Sequence, residues 1–233
     1  MYVFHKKAAV TASLLAATLL MAISIPAEAG ISIGGTRVIY QAKNKEATLS
    51  IKNPANSSVY LVQSWVEGNN SSRKAPFIVT PPLYRSEPGK ENILRIVHTG
   101  AQTVGNKETL YWLNVKSIPA TDSEAANNNT LQMVVKSRIK LFYRPADIKG
   151  NPQDSYKSLQ FSRNGSHLHV SNPTGYYVTF YSLKVNGKDV KEADMVPPFG
   201  QSDYVVPMNG RVSVTWQAIN DFGGITEAAN TSV

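Results

Sequence analysis

A chain of 233 residues with 42% hydrophobic and 17% charged residues is long enough for one large or two modest packed cores, which excludes disorder as its main theme. Its formal net charge of +8 points to nucleic acid, an anionic surface or a carboxylate-bearing partner. With no cysteine, it has neither a disulfide staple nor a thiol nucleophile, so packing alone must hold it together.

The chain starts with the basic residues His5, Lys6 and Lys7, continues through the uncharged apolar run Ala8 to Ile25, and then presents Ala27, Glu28 and Ala29. That order of basic start, apolar stretch and small-residue site reads as a signal peptide over 1–29, cleaved before Gly30. The competing reading is an uncleaved anchor, since the apolar run is near the lower length for a bilayer span. Export makes nucleic acid the weakest of the three partner classes.

Beyond Gly30 the pattern is strand and turn. "ATLSIKN" (Ala47 to Asn53), "VYLVQSWVE" (Val59 to Glu67), "NILRIVH" (Asn92 to His98) and "TLYWLNVKSI" (Thr109 to Ile118) are short, rich in β-branched and aromatic residues, and bounded by Asn, Gly or Pro. No segment of ten residues carries a helical period, so regularly spaced strands predict sandwiches rather than a βαβ sheet. The stretch Arg144 to Asp154, with two prolines and a glycine, reads as a linker between a first domain over 30–147 and a second over 148–233. In the second half, Asn-Gly pairs at Asn164, Asn186 and Asn209 predict tight hairpins, and Trp216 reads as core.

Catalytic motifs are missing: there is no GxSxG elbow, P-loop, GxGxxG or HExxH. His98, His167 and His169 are the histidines beyond the leader. The i, i+2 pair His167 and His169 shares one strand face but has no third ligand nearby in sequence, so it reads as a solvated face and no metal or cofactor is expected.

One strand mixes two chemistries. In "NNNTLQMVVKSRIKLFYRP", Asn127 to Pro145, alternation puts Leu131, Met133 and Val135 in one apolar row, followed by Lys136, Arg138 and Lys140 before a terminating proline. Read on its own, this is a half-buried strand with a solvated basic face.

The chain resembles the periplasmic chaperones of the chaperone/usher pathway, nearest to those of type 1 fimbriae. The resemblance rests on "GTRVIY" (Gly35 to Tyr40), "QSWVE" (Gln63 to Glu67), "FIVTPPL" (Phe77 to Leu83), "KETLYWLNVKSIPA" (Lys107 to Ala120), "SRIKLFYRP" (Ser137 to Pro145), "NPTGYYVT" (Asn172 to Thr179) and "INDFGG" (Ile219 to Gly224). Thr103 and Val104 stand where the family usually has Leu-Pro, and Gly175 where it often has proline. The short connection from Pro119 to Leu131 resembles the short-loop subclass, which serves rod-like fimbriae with specialised tips.

The resemblance implies two immunoglobulin-like β-sandwich domains at an angle with a cleft between them, in the periplasm. It implies no enzyme, but a binding protein that captures fimbrial (pilin) subunits by donor-strand complementation and delivers them to an outer-membrane usher, with no nucleic acid and no small-molecule substrate. Leu131, Met133 and Val135 would then enter the subunit's open groove. Arg37 and Lys140, helped by the Thr36 hydroxyl, would hold the subunit's C-terminal carboxylate. Glu108, Arg144 and Asp221 would form an ionic link between the domains. An exposed Leu-Met-Val edge also favours self-association of the free chain.

In a flat strand Lys140 points away from Leu131, Met133 and Val135; a bulge, twist or change of neighbouring strand would each reconcile this. The competing functional readings are an exported structural or adhesive surface protein built of two sandwiches, and an exported β-sandwich hydrolase relying on clustered carboxylates or a metal.

Overall fold

The computed structural model describes residues 30–69, 75–101, 105–120, 132–206 and 210–233. The leader, Leu131 and Asn209 lie outside the described residues. The first half contains β1 (Ser32–Ile33), β2 (Arg37–Gln41), β3 (Ala47–Lys52), β4 (Tyr60–Gly68), β5 (Phe77–Thr80), β6 (Leu83–Ser86), β7 (Glu91–His98), β8 (Thr109–Pro119) and β9 (Val135–Arg144). They form a four-stranded sheet, β1-β3-β7-β5, facing a five-stranded sheet, β2-β9-β8-β4-β6.

Alternation decides which side chains meet between the sheets. In β2, Val38 and Tyr40 point inward, and they meet Ile51, Leu94, Ile96, Leu113 and Leu141, which are fully buried. Each fully buried aliphatic side chain contributes about 1.5–3 kcal/mol.

The second half contains β10 (Gln160–Asn164), β11 (His167–Ser171), β12 (Val178–Val185), β13 (Lys188–Asp189), β14 (Met195–Val196), β15 (Gln201–Val205), β16 (Ser213–Ala218) and β17 (Ala229–Ser232), preceded by one 3₁₀ turn at Ser155–Ser158. Sheet β10-β11-β15 packs on β13-β12-β16-β17, with β14 pairing β12. This core is separate: Leu168, Val170, Leu183, Val214 and Trp216 gather here, and the Trp216 indole N–H donates to the Tyr156 carbonyl at 2.9 Å.

Two predicted hairpins are described. Asn186 and Gly187 have φ of 50° and 77°, the left-handed pair that a type I′ turn demands, and Gly165 at φ 60° follows Asn164. The β11 to β12 and β14 to β15 connections are tied together by Asn172, fully buried, whose amide donates to the carbonyls of Tyr176, Val196 and Pro197 while its oxygen accepts from the Thr174 N–H.

Of the predicted donor row, Val135 opens the β9 ladder and Met133, 70% exposed, precedes it, while Leu131 lies outside the described residues. The last β8 to β9 pair is Ser117 with Val135; two steps further along, β8 ends at Pro119, which has no N–H to offer.

Leu110 and Phe142, both 2% exposed, belong to neither core, although both lie on the outer face of the first sandwich. The second sandwich covers that face, with the Tyr177 ring 5.4 Å from that of Phe142.

Candidate functional site at the domain junction

The site grows from the pairing of β2 with β9. These strands run parallel, Arg37 opposite Lys140 and Gln41 opposite Arg144, so side chains at matched positions share a face. Arg37, Lys140, Phe142 and Arg144 therefore all look toward the second sandwich. Val135, Ser137, Ile139, Leu141 and Tyr143 form the opposite row, whose last members are in the first core.

This geometry answers the question of strand parity. The β8 to β9 ladder is regular from Val135 to Tyr143, with no bulge, so Val135 and Lys140 do face opposite ways. What changes is the neighbouring strand. β2 covers Lys140–Arg144 only, and among the described residues no strand pairs with the outer edge of Val135–Ile139. Beyond β2 the strand presents an open edge with Val135, 52% exposed, on its flank.

Arg144 lies at the centre of the junction. Its Nε donates to Glu108 Oε1 at 2.6 Å, and its two terminal nitrogens donate to the Asp221 carboxylate at 2.6 and 2.8 Å. The other oxygen of Glu108 accepts the Tyr177 N–H at 2.8 Å, so one carboxylate from β8's threshold reaches the second sandwich as well. Arg144 thus touches both acids, Glu108 of the first sandwich and Asp221 of the second. Burial opposes charge on Arg144, yet its bonds to Asp221 and Glu108 outweigh that and hold the guanidinium above its ordinary value. Burial pushes the Glu108 carboxyl up, against the pull of Arg144 and the Tyr177 N–H.

Arg37 also crosses the junction, donating from Nη1 to the Ile219 carbonyl at 3.0 Å, with its guanidinium 5.7 Å from the Phe142 ring. Its Nε is buried with no hydrogen-bond partner, and desolvation lowers its pKa against the pull of Asp221, Glu108 and Asp194. Buried donors without acceptors are costly, so this Nε carries an unmet demand for a hydrogen-bond acceptor. Lys140 pairs with Asp194 at 2.5 Å. Thr36 is exposed beside Arg37, and Gly223 of the second sandwich packs against it so closely that an added Cβ would sit 2.7 Å from its hydroxyl.

Higher on β9, the basic residues read as a solvated face have specific seats. Lys136 lies 5.0 Å from the Trp65 ring and Arg138 4.2 Å from the Trp112 ring, with Glu67 3.6 and 4.0 Å from the two cations. The Trp65 indole N–H, then Lys136 and Arg138, hold the Glu67 carboxyl below its usual range.

Sequence reading missed Asp194, the Ile219 carbonyl, the Tyr177 N–H and the buried outer-face pair Leu110 and Phe142. Backbone groups leave no side-chain signal, and Asp194 reads as one exposed acid among others. His169 pairs with Asp203 at 2.7 Å, and among the described residues no group of three or more His, Cys, Asp or Glu could hold a metal ion. No helix among the described residues is long and apolar enough to cross a membrane.

Comparison with known proteins places this geometry. Residues 30–149 match the family of pili and flagellar-assembly chaperones, PapD N-terminal domain, and residues 154–230 match the pili assembly chaperone PapD, C-terminal domain. The probable fimbrial chaperone LpfB of Escherichia coli O157:H7 is 42% identical over 221 residues, covering 94% of this chain and 95% of that protein. The SafA pilin–SafB chaperone structure of Salmonella enterica matches with a TM-score of 0.80 at 36% identity, covering 88% of this chain and 96% of that one. The periplasmic chaperone SfaE matches with a TM-score of 0.74 at 38% identity, covering 85% and 97%.

Proposed function

The chain belongs to the PapD-like family of pilus-assembly chaperones, and from that premise we propose how its residues divide the work of capturing a fimbrial subunit in the periplasm. It binds without catalysis, lends a strand to complete the subunit's fold, and passes the subunit to an outer-membrane usher. The signal-peptide pattern over 1–29 and the likeness to a periplasmic relative support the compartment.

The observation that carries this reading is the open edge of β9 over Val135–Ile139, directly continuous with a cation pair at Arg37 and Lys140. An unpaired edge offers backbone hydrogen bonds to an incoming strand, and Met133 and Val135 add apolar side chains, each gaining about 1.5–3 kcal/mol on burial in a partner's groove. Leu131 continues the row outside the described residues. Arg37 and Lys140, with Thr36, receive the subunit's terminal carboxylate and so fix the register of strand pairing. Glu108, Arg144 and Asp221 hold the two sandwiches at the angle that keeps the cleft open. The domain boundary belongs between the end of β9 at Arg144 and the 3₁₀ turn at Ser155, in keeping with a division at 147 and 148.

Val135→Glu tests the strand. Because Val135 is 52% exposed in the free chain, the variant keeps the wild-type melting temperature, whereas burying a carboxylate in an apolar groove costs several kcal/mol and abolishes recovery of the complex. Undiminished co-purification of V135E with a fimbrial subunit would remove this edge from the mechanism.

A further inference from the structure

Lys140 already has a carboxylate partner. Asp194, immediately before β14 on the second sandwich, reaches across the junction to Lys140 Nζ at 2.5 Å. Its backbone is fixed, since its carbonyl accepts the Phe180 N–H at 2.8 Å. The Lys140 side chain is 15% exposed and that of Asp194 65%, so the acid meets the cation from the solvent side of the cleft. The Asp194 charge also acts on Arg37. A single acid therefore acts on both cations assigned above to the subunit's terminus.

We propose that Asp194 is a resident competitor for the partner's C-terminal carboxylate, and thereby a residue that sets the selectivity of subunit capture. The proposal rests on the reading of Arg37 and Lys140 as the carboxylate anchor. Two carboxylates crowded on one ammonium repel each other, so an incoming terminus must displace Asp194 from Lys140. Asp194 withdraws readily, because most of its side chain already faces water and an exposed pair is worth little. A stray small acid gains nothing by the exchange, since it replaces one carboxylate with another. A subunit terminus arrives with a strand for the β9 edge and apolar burial for Val135, and that surplus displaces Asp194. Discrimination thus comes from an internal opposing element rather than from extra attraction.

The test uses Asp194→Asn, Lys140→Ala and the wild type, each titrated calorimetrically with a synthetic peptide of a fimbrial subunit's last strand, as free acid and as C-terminal amide. Asp194→Asn is expected to bind the free acid about two- to fivefold tighter than wild type, with the amide unchanged. Acetate should also compete with the free acid more effectively in Asp194→Asn than in wild type. Equal or weaker binding of the acid by Asp194→Asn, while Lys140→Ala still erases the preference for acid over amide, would overturn the competitor role and leave the anchor standing. Acid and amide binding alike in the wild type would instead remove the anchor, and the competitor with it.

Discussion

Replacing Arg37 or Lys140 by alanine is expected to lose a chaperone–subunit complex by roughly thirtyfold to several thousandfold in affinity, corresponding to about 2–5 kcal/mol for truncating one member of a buried charged cluster. Both side chains look into the same junction from paired positions on β2 and β9. A terminal carboxylate seated there and deprived of one cation is left desolvated and half paired. The free protein loses far less. Lys140 gives up a pair whose acid is 65% exposed, worth at most about 1 kcal/mol, and Arg37 gives up one bond together with a buried, unpartnered Nε. Co-purification with a subunit, set beside melting curves of the free variants, separates these effects. A parallel loss of fold and complex would mean that the cations serve stability and not capture.

The second large effect is in the chaperone itself. Arg144→Ala is expected to lower stability by about 3–5 kcal/mol at neutral pH, the usual cost of removing one partner from a buried ion pair. The side chains of Glu108 and Arg144 are 2% and 8% exposed, so the stranded carboxylate keeps only the Tyr177 N–H. The pH dependence has a definite sign. Burial raises the folded-state pKa of Glu108, and removing Arg144 raises it further. A carboxyl raised in the folded state contributes its stability below the unfolded value of about 4.3, and that contribution is lost as pH rises through the folded value. The gap in melting temperature between Arg144→Ala and wild type is therefore widest at pH 7 and narrows toward pH 4. A gap that stays constant or widens on acidification would show that Glu108 is not the stranded group. Small-angle scattering of the same variant should show a broader distribution of domain arrangements, because Arg144 also holds Asp221 of the second sandwich.

Much of this architecture is readable from local pattern. Alternation located β3, β4, β7 and β8 to within a residue or two, because each strand buries one face and exposes the other. Asn186-Gly187 announced its hairpin because few other residue pairs adopt two left-handed conformations in succession. Where pattern failed, contacts between distant segments were responsible. Leu110 and Phe142 sit at outward positions that alternation assigns to solvent, and only the arrival of the second sandwich buries them. Alternation alone does not mark where the β8 to β9 ladder starts at Val135, because pairing depends on how far β8 extends. Lys140 and Asp194 are 54 residues apart and carry no mutual signal in sequence. The family's motifs single out Arg37, Lys140, Glu108, Arg144 and Asp221 in the sequence, but not their contacts, which depend on two domains meeting.

The most direct measurement is amide hydrogen exchange over residues 132–139, comparing the free protein with its complex with a fimbrial subunit. If β9 lends its edge, backbone amides here that exchange with solvent in the free chain become hydrogen-bonded to the subunit, and exchange across this segment slows by orders of magnitude in the complex. A stable complex in which residues 132–139 exchange as fast as in the free protein would contradict strand donation and place the binding surface elsewhere on the molecule.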